Sequence, residues 1–232
     1  MLPAWPGIEP RFARIARFAP LIGLVLGGLQ ALLWLATAGR LPGGARVALV
    51  MALALWLSGG LHHDGALDCA DGLAAGPRRR LEAMADSRVG AAAVLAAVQL
   101  VLLRGAGLLC LLELPRATAA AALLAAAFWG RVAPLLAMQA YPYLRPGGTA
   151  AFHRHHWRGL GRELRPSLVV GLPLLCAAPA AVAPGLLPTL VVPRWFGRRL
   201  GGHSGDSYGA CVEWVEALAL LFTGLLLVLA AG

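Results

Sequence analysis

The chain has 232 residues, of which 59% are hydrophobic and 13% charged, against about 25% charged in ordinary soluble proteins. Long apolar runs and a mean hydropathy of +0.72 exclude a soluble globular domain and predict a single all-α domain, residues 1–232, built as a polytopic membrane helical bundle. The formal charge of +9 comes from 20 basic residues, all arginine; clustered between apolar runs, they read as cytoplasmic loops and contacts with anionic membrane lipids, not as a nucleic-acid surface.

In chain order, Arg11, Arg14 and Arg17 fall at i, i+3 and i+6 and predict one face of a short interfacial helix. The first apolar run, about Phe18 to Ala38, is long enough to span a bilayer. The N-terminus lacks a cleavable signal pattern, so this run is expected to remain as a membrane helix. A second helix starts near Arg46 and is expected to continue unbroken into an acidic stretch. The 18 residues from Arg46 to Asp64 would cover roughly 27 Å, which sets the acids at the far membrane surface. Gly76-Pro77 stops that helix, and Pro77 is suited to open the next one.

Helices three and four are expected over about Val89 to Leu112 and Thr118 to Ala140, with Arg131 and Pro134 inside the fourth. An arginine within a membrane helix is costly, so Arg131 should face a polar interior or snorkel to the interface. The longest polar loop, Tyr141 to Pro166, holds five arginines and three histidines and is expected to be cytoplasmic. From Ser167 to Pro193 the chain carries Pro173, Pro179, Pro184 and Pro188 before the closing Pro193. Two crossings, broken near Pro184-Gly185, would keep Arg194, Arg198 and Arg199 inside and give about seven transmembrane helices; one crossing gives six. The last helix is expected over about Tyr208 to Ala230. Cys69, Cys110, Cys176 and Cys211 form no CxxC and are expected to be packed thiols.

The chemistry concentrates between Ser58 and Gly90. Asp64, Asp68 and Asp71 stand at i, i+4 and i+7, within an arc of roughly 60° on a helix. Three carboxylates on one stripe repel one another, and a bound divalent cation removes the conflict. Oxygen-only ligands of this kind suit Mg²⁺, which keeps several waters and bridges to substrate phosphates. Asp86 could supply a fourth carboxylate after a turn; the plain alternative is a solvated helix end. Arg78, its neighbours Arg79 and Arg80, and Arg88 beside Ser87 offer bidentate donors for phosphate, although the Arg78–Arg80 run reads more simply as a topology marker. Gly65 and Gly72 permit close approach of a ligand or of another helix. The histidines show no zinc frame; His62, which flanks the acids, is the one to test. Far downstream, Gly201 to Gly209 surrounds Asp206 with four glycines, Ser204 and Ser207. Such a segment can present N–H groups and a carboxylate to a ligand, or Ser204 or Asp206 can simply cap the last helix.

The stretch GGLHHDGALDCADGL followed by RRRLEAMADSRVGAAAVL closely resembles the cobalamin synthase (adenosylcobinamide-GDP ribazoletransferase) family. The blocks RIARFAPLIG, YPYLRPGGTAAFHRHHWRG and RRLGGHSGDSYGACVEWVE extend the resemblance over almost the whole chain. The resemblance implies a multi-pass protein of the bacterial inner membrane with an active site facing the cytoplasm; a homo-oligomer is left open. It implies a Mg²⁺-dependent enzyme that joins α-ribazole, or its 5′-phosphate, to adenosylcobinamide-GDP. The products are adenosylcobalamin, or its phosphate, and GMP. Carried onto this sequence, the catalytic and metal-binding residues would be Asp64, Asp68, Asp71 and Asp86. Substrate contacts would come from His62, Gly65, Gly72, Arg78, Ser87, Arg88, Arg131, Ser204 and Asp206. The sequence departs from the family pattern at His63, Cys69 and Ala85, none of which removes an acid. Asp68-x-x-Asp71-Gly-x-x-Ala75 also resembles CDP-alcohol phosphotransferases, but Gly76 stands where those have arginine and only Asp86 follows. A lipid head-group transferase is therefore the second reading. A transporter using the acids as a relay is the third, although such acids belong near mid-membrane.

Overall fold

The structure is a computed structural model that describes residues 13–148 and 150–232; Arg11, expected on the interfacial face, lies outside them. Among the described residues every regular element is helical: α1 (Ala19–Thr37), α2 (Gly43–Ser58), α3 (Leu61–Ala74), α4 (Arg80–Ala83), α5 (Ala91–Leu111), α6 (Arg116–Ala140), α7 (Ala151–His155), α8 (Leu160–Ala177), α9 (Pro179–Val182), α10 (Leu186–Leu200) and α11 (Gly205–Ala231). The surface is apolar where it would meet lipid. Val25, Leu32, Leu95, Leu102, Val169 and Leu229 are exposed, while Arg104, Arg131, Glu213 and Glu216 are buried. This inverted arrangement fits a bilayer solvent and not water.

Helix α11 is the hub and packs against α3, α5, α6 and α10; α1 lies along α6. Among the described residues, four helices are individually long and apolar enough to cross a membrane: the run Ile15–Thr37, then α5, α6 and α11. Two bent pairs, α2 with α3 and α8 with α9–α10, raise the number to six. The seven-helix arrangement favoured from loop charge is thus not reached, and the six-helix alternative is the upper count. The α8–α10 segment turns by 117° just after Ala177, at Ala178-Pro179, not near Pro184-Gly185. Its second limb, α10, has only 15 residues and carries Arg194, Arg198 and Arg199, too short and too charged to count as a span alone.

A second correction concerns the acidic stretch. α2 does not run on into it. Gly59 and Gly60 adopt φ of 59° and 73°, a left-handed conformation that glycine enters without a Cβ penalty, and α3 leaves at 88° to α2. The straight-helix arithmetic that set the acids at the far surface therefore does not hold. Near the N-terminus, Ile15–Phe18 is a single 3₁₀ turn. Arg14 pairs with Glu163 of α8 at 2.9 Å, and Ser167 donates to the Arg17 carbonyl at 3.2 Å. Cys69 and Cys211 are packed in the core as expected, whereas Cys176 is exposed.

Candidate active site

The N-terminal ends of α5 and α11, the C-terminal end of α6 and the acidic face of α3 meet at one end of the bundle. Two backbone exchanges build the floor. Leu144 donates to the His203 carbonyl at 2.7 Å, and His203 donates to the Pro142 carbonyl at 2.9 Å. The loop after α6 is thereby tied to the loop before α11. His203 is fully buried there. Its ring stacks on Tyr208, Nε2 donates to the Pro193 carbonyl at 3.1 Å, and Nδ1 faces Ser207 Oγ at 2.9 Å. Burial pulls its pKa down to about 4.

The fold separates two residues that the sequence left interchangeable. Ser204 is the N-cap of α11 and closes a capping box with Ser207. Asp206, in the first turn, instead turns its carboxylate to Arg145 at 3.1 Å and to the Ser204 hydroxyl at 3.2 Å. Its backbone lies against Gly65 of α3, where an added Cβ would come within 2.9 Å of Asp206 Cα. This close approach sets Asp206 against the acidic helix between Asp64 and Asp68. Asp64 is exposed, and Asp68, Asp71 and Asp206 are half-buried, so the cluster is open to solutes.

The other site residues named from sequence fall in several places. Asp71 accepts from Gly90 N–H at 2.7 Å and from Ala93 N–H at 3.0 Å, so it caps α5 from another helix. Arg88 holds Asp86 with a 2.6 Å ion pair, and those hydrogen bonds pull its pKa down to about 2. Arg78 and Ser87 are exposed and, among the described residues, make no side-chain hydrogen bond. Gly65 and Gly72 are not open to a ligand: Asp206 covers the first, and Met84 with the Arg80 carbonyl covers the second. They are packing positions. Arg131 is buried and paired with Glu216, so it faces a polar interior but its guanidinium is engaged. His62 packs its Cα on Gly209 and lies near the charges of Arg131 and Glu213; its Nδ1 is buried without a hydrogen-bond partner.

Two groups escaped the sequence reading. Arg145 is one; its only signal was membership of the long basic loop. The other is a buried charge network beneath the site. Arg104 contacts Glu216 at 2.9 Å and Glu213 at 3.6 Å, and Gln30 at 3.2 Å, while His63 lies 3.5 Å from Glu213. Opposite charges inside apolar runs, Arg104 on one and Glu213 with Glu216 on another, were the available signal.

The donor set toward a metal is all oxygen, which fits Mg²⁺, an ion usually held by one or two carboxylates with waters and phosphates completing its shell. Among the described residues no three potential ligands converge into a ready-made cage. The carboxylates of α3 could hold such an ion only with waters or substrate oxygens completing its shell.

A polytopic helical membrane protein with a carboxylate-lined site at one end is the class that fold and site define. The family model described as cobalamin-5-phosphate synthase matches residues 1–224, and the chain belongs to that family. A Prochlorococcus marinus (strain MIT 9313) protein named adenosylcobinamide-GDP ribazoletransferase is 53% identical, covering 98% of this chain and 92% of its own length. Proteins of the same name are 43% identical in Thermosynechococcus vestitus, over 94% of this chain and 88% of theirs, and 38% identical in Synechocystis sp., over 94% and 87%. No solved structure matches.

Proposed function

We propose that this chain transfers the cobinamide-phosphate moiety of adenosylcobinamide-GDP to α-ribazole, or to its 5′-phosphate, and releases GMP. The observation that carries the reading is the packing of Asp206 against Gly65, on the acidic helix between Asp64 and Asp68, in a chain whose full-length relatives bear that name. Family membership gives no support to a lipid head-group transferase or a transporter.

The transfer breaks the bond between the cobinamide-side phosphorus and the GMP oxygen and forms one to the ribazole hydroxyl oxygen. Such reactions depend on positioning and charge neutralisation. Asp68, central in the cluster, takes the hydroxyl proton, and GMP departs as a phosphate monoester. Asp64 and Asp68 would hold Mg²⁺, which would neutralise charge on the phosphate oxygens, while Asp206 is paired with Arg145. Asp71 keeps the end of α5 in place while facing the same space. The site would face the cytoplasm of the bacterial inner membrane, on the side of the arginine-rich loops.

Membranes containing the protein, given adenosylcobinamide-GDP, α-ribazole and Mg²⁺, should release GMP and form cobalamin in equal amounts. No GMP above control membranes would refute the proposal. Chelation should stop the reaction and Mg²⁺ restore it. Single-cysteine labelling at Gly147, in a cysteine-free background, checks sidedness: protection in sealed cells is expected, and labelling by an impermeant reagent would reverse it.

A further inference from the structure

We propose that Arg145 is a phosphate-binding residue of the transfer site, whose guanidinium exchanges Asp206 for the diphosphate of the nucleotide-activated substrate. The assignment rests on the transferase reading. It starts from a shortage of cations at the right place. The sequence offers many arginines; Arg78 is exposed and, among the described residues, without a side-chain hydrogen bond, while four others near the acids are already engaged. Arg88 is occupied by Asp86. Arg80 donates to the carbonyls of Pro77 and Arg199. Arg79 pairs with Glu82 on the open surface, and Arg131 is buried against Glu216. Arg145 instead pairs with Asp206 at 3.1 Å, where Asp206 packs against Gly65 of the acidic helix.

Its geometry suits exchange. The backbone is fixed: Leu144 is bonded to His203, and Gly148 N–H donates to the Arg145 carbonyl at 2.8 Å. The side chain is only partly covered, at 30% exposure. Nη1 lies 3.1 Å from Asp206 and Nη2 donates to the Leu81 carbonyl at 3.1 Å. A guanidinium has five N–H donors in a rigid fork, so several remain for phosphate oxygens. Asp206 is the carboxylate paired with Arg145, and the acids of α3 beside it leave an excess of negative charge that would repel a diphosphate. A guanidinium able to turn from carboxylate to phosphate serves both states, and bidentate phosphate recognition is the task for which arginine surpasses lysine. A mere structural staple between the loop, α4 and α11 would explain the two bonds but not their position inside the acid cluster.

The test compares wild type, Arg145→Gln and Arg145→Lys in two readouts. The first is kcat/KM for GMP release at varied adenosylcobinamide-GDP. The second is the rise in melting temperature caused by GDP with Mg²⁺. Arg145→Gln should lose about a hundredfold in kcat/KM and the GDP-induced rise, and Arg145→Lys about tenfold, because a point charge replaces a fork. A staple predicts lower melting with the GDP-induced rise retained and kcat/KM of the folded fraction within about threefold of wild type; that result overturns the assignment. If Arg145→Gln does not fold, Arg145→Lys decides: kcat/KM and GDP response equal to wild type overturn it. A wild type that releases no GMP overturns the transferase reading, and the assignment falls with it. A wild type that turns over beside an active Arg145→Gln overturns the assignment alone.

Discussion

Asp68 and Asp71 share one face of α3, yet their carboxylates do different work. Asp71 spends both oxygens on the first N–H groups of α5, and Gly90 is glycine because a Cβ there would collide with that carboxylate. Asp68 has no such duty. Asp68→Asn should therefore lower kcat by about a hundredfold or more, on the scale of a lost metal contact, with unchanged melting. Asp71→Asn should lose activity and also about 1 kcal/mol of stability, as for a lost cap. Melting and GMP release measured on both variants separate the two roles; equal melting would remove the cap from the account. His203 carries the second prediction at this scale. Its pKa falls from 6.5 to about 4 on folding, so between those values the unfolded chain binds a proton that the folded one does not. Stability is therefore full above about pH 6.5 and declines as pH falls toward about 4. Melting followed from pH 7 to pH 4.5 should drop more steeply in wild type than in His203→Gln; parallel slopes would contradict it.

At the scale of elements, the start of α11 combines a cap and a site residue two positions apart. Ser204 satisfies the end of the helix, and Asp206 looks outward to Arg145 and the stripe. Ser204→Ala should cost about 1 kcal/mol of stability and leave turnover of the folded protein nearly intact. Asp206→Asn should do the reverse, with kcat/KM down tenfold or more. Early melting with normal turnover in Asp206→Asn would confine the working acids to α3. The bend at Gly59-Gly60 matters for the same geometry. It releases α3 from the line of α2 and lets it lie along α11, which is how acids from distant parts of the sequence reach one another.

In the whole molecule, a buried charge network ties five helices together beneath the site: Gln30 on α1, His63 on α3, Arg104 on α5, Arg131 on α6, and Glu213 and Glu216 on α11. Glu216 faces both arginines. Its loss leaves two cations buried with only Glu213 nearby, and breaking such a pair costs about 3–5 kcal/mol. Glu216→Gln should therefore reduce membrane yield and melting sharply, whereas Glu82→Gln, whose pair with Arg79 is exposed, should change neither. Normal melting of Glu216→Gln would show that the network is dispensable.

By itself the sequence determined what depends on composition and local order. Apolar runs of spanning length dictated a membrane helical bundle, because backbone polar groups in lipid must be satisfied within helices. The spacing of Asp64, Asp68 and Asp71 dictated a common face, because helical periodicity is local. The glycines and hydroxyls around Asp206 marked a special segment without saying whether it capped or bound. Tertiary structure decided the rest. Asp86 pairs with Arg88, Asp71 caps a neighbouring helix, and Gly65 and Gly72 are closed by Asp206 and Met84. Arg131 is taken by Glu216, and Arg145 enters the cluster from a loop whose charge alone had suggested only sidedness. Each of these outcomes depends on which carboxylate or helix end lies within hydrogen-bond reach, and such partners are brought together only when α3, α6 and α11 pack.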